Sequence, residues 1–591
     1  MTQLRAKSTN KALMITLVSR KYSLVIVFFL SAIMVGSALL RFWNLGELGL
    51  GGDESVYAAQ ALILAGDNEL SKYFVLISRG VSNFLLNQAI QSIFYTVAGF
   101  SEFSTRFLSA ALSVGTCAIV FFLGRDMYNK WTGLISALLL SIHTYSVALG
   151  RIGYLDSTMV FFFTLSIFML YKWIKTGDPK WSYILAATSA AAILTKVPSM
   201  ILIPIIMTTL LLVSRGFRPI NVSRGFRPIN VRTLTIFVLI FFAGLIPAFV
   251  QIAMNFDHYL SFTGAAGSRI INVPITFYFE KLLEYSGPFF IASALFGILI
   301  SFVRRTKADL LCIVWLVITV VYIQLIPIKA WNYCLPLIPL LSIFAARGIT
   351  LLLALLPPLL ANRKNNTNAR QQIAPRHLTT ISGGLIGIFL LLSVTYTEIY
   401  ESVDYLIHNR PFVGLKEASF WIAENGIPNA TAMTPSQGSA QYVLSLYGHM
   451  DTYPFGNFKL HTILPKGDVI VGAPPPDPLI QNGTINYLVH YVSNTDAGDD
   501  PFHMENKTKI QSKFLDLVQK YDSELRYIYY DKYLSLNGNE IREPRVWVFE
   551  VGKRMPDMSH SVEYKEVGHG VNAKPNVEYK EVGHGVNAKP N

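Results

Sequence analysis

Charge is what this chain has least of. Only 15% of its 591 residues are Asp, Glu, Lys or Arg, against roughly 25% in a soluble domain. Its mean hydropathy is +0.40 and 52% of its residues are hydrophobic. A chain this poor in charge cannot cover its own surface in water. Cysteine is also scarce: Cys117, Cys312 and Cys334 are the three present, all in apolar stretches. That excludes a disulfide scaffold and a Cys-based zinc module. No small-residue cleavage site follows the first apolar run, so the run reads as an uncleaved anchor. The surplus of +13 formal charges could point to nucleic acid, but in a membrane chain it must first be sorted by loop.

What is present is a series of apolar runs. A bilayer core takes about 20 helical residues, and on that scale spans are predicted near 22–41, 107–124, 131–149, 157–174, 182–195, 198–213, 233–251, 287–303, 309–327, 333–358 and 379–398. The expected fold is a polytopic α-helical membrane protein of about eleven spans. Basic residues set its orientation. Segments on the amino-terminal side of the membrane carry 22 Lys and Arg, and the opposite connections as far as residue 332 carry 8. Residues 1–21 are therefore expected in the cytoplasm, with the 42–105 loop outside in a plasma membrane protein.

After eleven spans the rest also falls outside. Residues 400–552 mix β-rich runs (487–491, 546–550) with helical patterns (414–424, 507–521), which predicts an extracytoplasmic α/β domain. Asn429, Asn482 and Asn506 begin three Asn-x-Thr acceptor triplets there. Two tandem duplications, 214–222 with 223–231 and 562–576 with 577–591, are too few to stack as a repeat fold. The tail 553–591 is expected to be disordered.

The chemistry is expected at the outer edge, where charges are costly, about 2.5–3.5 kcal/mol each at a helix centre. The first outer loop ends in Gly51-Gly52-Asp53-Glu54-Ser55-Val56-Tyr57. An Asp-Glu pair at a helix start suits a base or a metal ligand. It also suits simple capping, with Asp53 as N-cap. Arg106, Arg151, Asp156, Lys196, His258, Arg269, Lys329 and Tyr333 lie in or beside the other outer connections. Snorkelling would explain any one of these cations. A ring of them around an acid pair is better explained by an anionic, lipid-borne substrate. A transporter or lipid-linked-sugar flippase would also gather charge in a bundle, but near the midplane and in broken helices of symmetric halves.

Five stretches together resemble the lipid-linked-sugar glycosyltransferases of GT-C fold, specifically the protein O-mannosyltransferase (glycosyltransferase family 39) and aminoarabinose-transferase branch. They are the Gly-Asp53-Glu54-x-x-Tyr57-Ala loop, Gly99-x-Ser-Glu102…Arg106, Gly150-Arg151…Asp156, Leu194-Thr195-Lys196-Val-Pro198 and Lys329…Tyr333…Pro336…Pro339. The order and spacing cover residues 20–400. Three departures stand out. Ser78-Arg79-Gly80 occupies the place of a Lys-Pro-Pro or His-Pro-Pro stretch, Val56 the place of the aminoarabinose branch's Arg, and a Trp-Trp-Asp motif is absent.

The resemblance implies transfer of a sugar, mannose or a similar hexose, from a polyprenyl or dolichyl phosphate to a protein, glycan or lipid acceptor on the outer side. It implies Asp53 as the base, Glu54 supporting it or holding a divalent cation, and inversion at the sugar. Arg79, Arg106, Arg151, Lys196 and Lys329 are the candidates for donor phosphate. Asp156, Tyr57 and Tyr333 are expected to bind or orient substrate, and His258 is a candidate metal ligand.

Overall fold

The computed structural model describes residues 24–76, 84–214, 230–257, 274–326, 329–355, 374–409, 412–435, 440–456, 461–463, 469–471, 475–491, 501–534 and 540–552. Arg79, His258, Arg269 and nearly all of both duplications lie outside them.

Among the described residues, each of the eleven apolar stretches is mainly helical. The helices are α1 (Leu24–Phe42), α2 (Gly52–Leu64), α3 (Leu86–Ala98), α4 (Glu102–Met127), α5 (Lys130–Ile142), α6 (Thr144–Gly150), α7 (Leu155–Thr176), α8 (Pro179–Thr195), α9 (Leu202–Ser214), α10 (Val231–Gly244) and α11 (Ile246–Met254). After them come α12 (Phe277–Arg304), α13 (Lys307–Leu325), α14 (Ile338–Leu353) and α15 (Ala374–His408). Among the described residues seven helices are long and apolar enough to cross a membrane, or nine if the bent pairs α5–α6 and α10–α11 each count as one span. The 182–195 stretch is α8, only 17 residues long.

Local chemistry fixes the helix ends. Ser101 caps α4 by accepting from the Ser104 amide at 3.0 Å, and Asn129 caps α5 through the Trp131 and Thr132 amides. Asp178 before Pro179 starts α8, and Thr306 with Asp309 forms a capping box on α13. These side chains satisfy amides that a helix start leaves without partners. Glycine sets the close crossings. A Cβ on Gly297 of α12 would run into the Phe344 carbonyl of α14, and one on Gly133 of α5 into the Phe121 carbonyl of α4. Small residues let membrane helices approach backbone to backbone. Deep in the bundle Arg347 pairs with Asp309 and donates to Ser301 Oγ, while Tyr128 donates to Asp309 at 2.9 Å. A buried charge is held there by a partner and hydroxyls, as hydrocarbon requires.

The carboxyl-terminal part is an α/β unit. Helices α16 (Leu415–Asn425), α17 (Ala440–Gly448), α18 (Pro476–Gln481) and α19 (Pro501–Lys520) accompany strands β1 (Thr431–Pro435), β2 (Asp451–Phe455), β3 (His461–Ile463), β4 (Val469–Val471), β5 (Tyr487–Tyr491), β6 (Glu524–Leu534) and β7 (Glu540–Glu550). The main sheet runs β2-β1-β5-β7-β6, parallel on the β2-β1-β5 side and antiparallel across β5-β7-β6. A separate two-stranded ribbon joins β3 and β4. Asn429 and Asn482 are exposed, and the Asn482 side chain accepts from the Thr484 amide and hydroxyl.

His490 lies in this sheet's core, between Phe514 and Trp547, and burial pushes its pKa down to about 4. The unfolded chain, near 6.5, binds a proton the folded chain refuses. Stability tied to His490 is thus complete above pH 6.5 and falls as pH drops from 6.5 to 4. Melting of the full chain in detergent across that window should show a steeper acid loss for wild type than for His490→Phe.

Candidate active site

Among the described residues, the expected charges lie at one end of the bundle, where Glu54 with Arg106, Asp156 with Lys196, and Lys329 form three clusters. The first is built on Glu54 and Arg106. Glu54 is 3% exposed, and each of its oxygens has two partners. Oε1 accepts from Arg106 Nε at 2.9 Å and the Gly153 amide at 2.6 Å, and Oε2 from Arg106 Nη2 at 2.9 Å and the Gly51 amide at 2.7 Å. Burial alone would raise the Glu54 pKa, but the Arg106 charge and these bonds hold it below the usual carboxylate range. Arg106 also donates to the carbonyls of Leu45, Leu48 and Gly49 at 2.9–3.1 Å. One guanidinium therefore folds the 45–54 loop around itself, and one carboxylate ties that loop to the turn before α7.

This corrects three readings. Arg106 has no nitrogen left for a donor phosphate, because all of them bind the chain's own oxygens. Glu54 has no lone pair directed at a metal, so it does not fit the role of ligand, and among the described residues no three His, Cys, Asp or Glu side chains gather around a cation position. Asp53 is not the N-cap either: Gly51 is, and Asp53 is the second residue of α2. Half-buried Asp53 sits in the helix's first turn, where the N-terminal dipole favours a carboxylate. Tyr57, one turn on, is buried with its ring edge-on to Tyr154 at 6.5 Å.

The second cluster joins Asp156 and Lys196. The ammonium donates to both Asp156 oxygens at 2.8 Å and lies 5.8 Å from the Tyr333 ring centre. Asn332 adds a donor to Asp156 at 3.4 Å. Asp156 opens α7 and Lys196 closes α8, so this pair ties two helices together. The third is Lys329, which donates to the carbonyls of Ile323 and Gln324 at the end of α13, over the Tyr278 ring. Burial lowers its pKa. A cation at that position satisfies carbonyls a helix end leaves open. Lys196 and Lys329 thus already hold internal oxygens.

Arg151 differs. Only its Nη1 is engaged, donating to the carbonyls of Leu40 and Arg41 at 3.2 Å. Nε and Nη2 have no partner among the described residues, and burial lowers the group to about 10. Half-buried Arg151 stays charged at neutral pH with one edge open, the arrangement that binds a phosphate oxygen.

Residues beyond the sequence expectations complete the site. Arg41 is fully buried at the end of α1 and donates to Ser113 Oγ, Ser146 Oγ and the Ser141 carbonyl. It ties the end of α5 to α6, the helix that Arg151 follows. From the α/β unit, Lys416 and Tyr447 donate to Glu102 Oε1 at 2.5 and 2.9 Å, and the Leu50 amide donates to the Tyr447 hydroxyl at 3.1 Å. Burial and the Glu102 carboxylate raise the Tyr447 pKa, so that hydroxyl stays a donor. No sequence signal points to these partners, which lie more than 300 positions from Glu102.

Helix order, loop clusters and the appended α/β unit define the class: the chain is a multi-pass membrane protein of GT-C fold. Its structure is similar to ArnT from Cupriavidus metallidurans in the apo state, with a TM-score of 0.58 over 90% of this chain and 98% of that one at 14% identity. ArnT bound to undecaprenyl phosphate gives 0.53 over 89% and 97%, at 14% identity. The archaeal oligosaccharyltransferase AglB from Archaeoglobus fulgidus, in complex with an inhibitory peptide and a dolichol-phosphate, gives 0.56 over 88% and 74%, also at 14%. In sequence, residues 85–246 match the family described as dolichyl-phosphate-mannose-protein mannosyltransferase. Two uncharacterized proteins of Aquifex aeolicus (strain VF5) are 26% identical over 174 residues, 29% of this chain, and 25% identical over 268 residues, 44% of it. The chain spans 35% and 58% of their lengths.

Proposed function

We propose that the protein is a membrane glycosyltransferase that moves a sugar, mannose or a similar hexose, from a polyprenyl or dolichyl phosphate to an acceptor hydroxyl or amine on the outer side of the plasma membrane. The observation that carries this reading is the division of labour among the edge charges. Glu54 pairs with Arg106 and Asp156 with Lys196, while Arg151 keeps an open guanidinium edge and Asp53 sits half-buried in the first turn of α2, beside the Glu54 anchor. The family match over residues 85–246 and the lipid phosphates bound to ArnT and AglB support the choice of donor.

In this reading Asp53 takes the acceptor's proton as its oxygen or nitrogen attacks the anomeric carbon. The bond to the phosphate oxygen breaks on the opposite face, so the anomeric centre inverts. The departing lipid phosphate gains a negative charge, which Arg151 stabilises in a partly dry site. Glu54 and Arg106 position the loop that carries Asp53. The amino terminus lies in the cytoplasm, and the α/β unit covers the acceptor side, outside.

The purified protein incubated with a panel of labelled lipid-phosphate sugars should release label from one of them to an acceptor. Failure with every donor would refute the reading. Within that assay Arg151→Ala is expected to raise the apparent donor KM about tenfold or more, the worth of a charge-assisted hydrogen bond, with a smaller change in melting temperature. An unchanged KM would remove Arg151 from the donor site.

A further inference from the structure

Between α12 and the end of α15 lies a cavity of about 470 Å³ that none of the roles above uses. It forms because α12 is broken at Gly287, whose φ of +65° interrupts the helix just before Pro288. Its wall is acidic: Glu284, Glu398, Glu401 and Asp404 all face it. Glu284 is paired with Lys281 at 2.9 Å and Asp404 with His408 at 2.9 Å. Glu401 has no ion-pair partner among the described residues.

Glu398 is the exceptional member. It is 2% exposed. Its Oε2 accepts from the Thr144 amide at 2.8 Å and the Thr144 hydroxyl at 3.2 Å. Its Oε1 is buried and has no partner among the described residues. A buried carboxyl oxygen without a hydrogen-bond partner is costly, so its presence on a cavity wall points to a partner brought by a ligand. The excess of carboxylates excludes an anion. A divalent metal is disfavoured because no three ligating side chains converge among the described residues. The rings of Tyr285 and Tyr405 add walls that suit an organic cation.

We propose that this cavity binds the protonated amine of a small amine-bearing ligand, with Glu398 Oε1 as its direct partner and Glu401 as the second carboxylate at the rim. Tyr405 lines the cavity and is also close enough to Arg151, Arg106 and Glu54 to feel their charges. The ligand would therefore lie beside the proposed transfer site, with its amine turned away from Arg151. A volume of this size accommodates a monosaccharide or a lipid headgroup.

The test is equilibrium binding of labelled glucosamine to the full chain in detergent, slightly below neutral pH, beside glucose and N-acetylglucosamine. These share one skeleton, and only the first carries a cation. Saturable binding of glucosamine alone is expected. Glu398→Gln, which keeps an acceptor for Thr144, should weaken it about tenfold or more, and Glu401→Gln should weaken it less, both with melting temperatures near wild type. Equal binding of glucose, no saturable binding of glucosamine, or unchanged binding in Glu398→Gln would each overturn the proposal, as would calcium binding that glucosamine does not displace. Because no turnover is read, an inactive transferase and an empty cavity are separate outcomes.

Discussion

Asp53→Asn is expected to lower sugar transfer by about 10²–10⁴-fold, the usual contribution of a positioned general base. Expression, membrane insertion and melting temperature should stay near wild type. The asparagine is nearly isosteric, sits in the first turn of α2 and can occupy the same half-buried position, so the change removes the proton acceptor while keeping the side chain's shape. The assay is loss of labelled sugar from the lipid donor under saturating acceptor. Turnover near wild type would dismiss Asp53 as the base. Asp53→Glu is informative beside it: a longer arm on a rigid loop should recover only part of the rate, because small misplacements of a catalytic group are costly.

Arg106→Leu is expected to be the most destabilising single change in the site. It leaves the Glu54 carboxylate buried with two backbone amides and no counter-charge, and it frees the carbonyls of Leu45, Leu48 and Gly49. Breaking a buried pair on one side costs about 3–5 kcal/mol, whereas replacing both partners by apolar groups is often near neutral. The double variant Glu54→Leu with Arg106→Met should therefore melt at a higher temperature than Arg106→Leu alone. Both should be nearly inactive, because the loop that presents Asp53 loses its anchor in either case. If the single variant matches wild type in melting temperature, the pair does not hold the loop.

Much of the fold was legible in the sequence. Apolar runs located the helices because hydrocarbon demands them whatever their partners, and the YLVHY run fell on β5 without a shift. Strands β1 and β2 escaped because five residues of mixed polarity carry little periodic signal. The charges at the bundle end were legible as a set but not as individuals. Arg106 and Arg151 look alike in sequence, both arginines at a helix edge. The difference between them lies in Glu54, 52 positions before Arg106. Pairing of this kind is a property of the folded chain. The same holds for Glu398, which reads as an ordinary acid near a helix end until α12 breaks against it.

The contacts of Lys416 and Tyr447 with Glu102 and Leu50 have a consequence for biogenesis. The loop bearing Asp53 leaves the ribosome early, yet its last hydrogen-bond partner is made some 400 residues later. A nascent chain can be fully threaded into the bilayer and still carry an unfinished reaction centre. Completion of the proposed site then waits on the folding of the final domain, so a chain interrupted before residue 447 would lack the contact that closes the 45–54 loop.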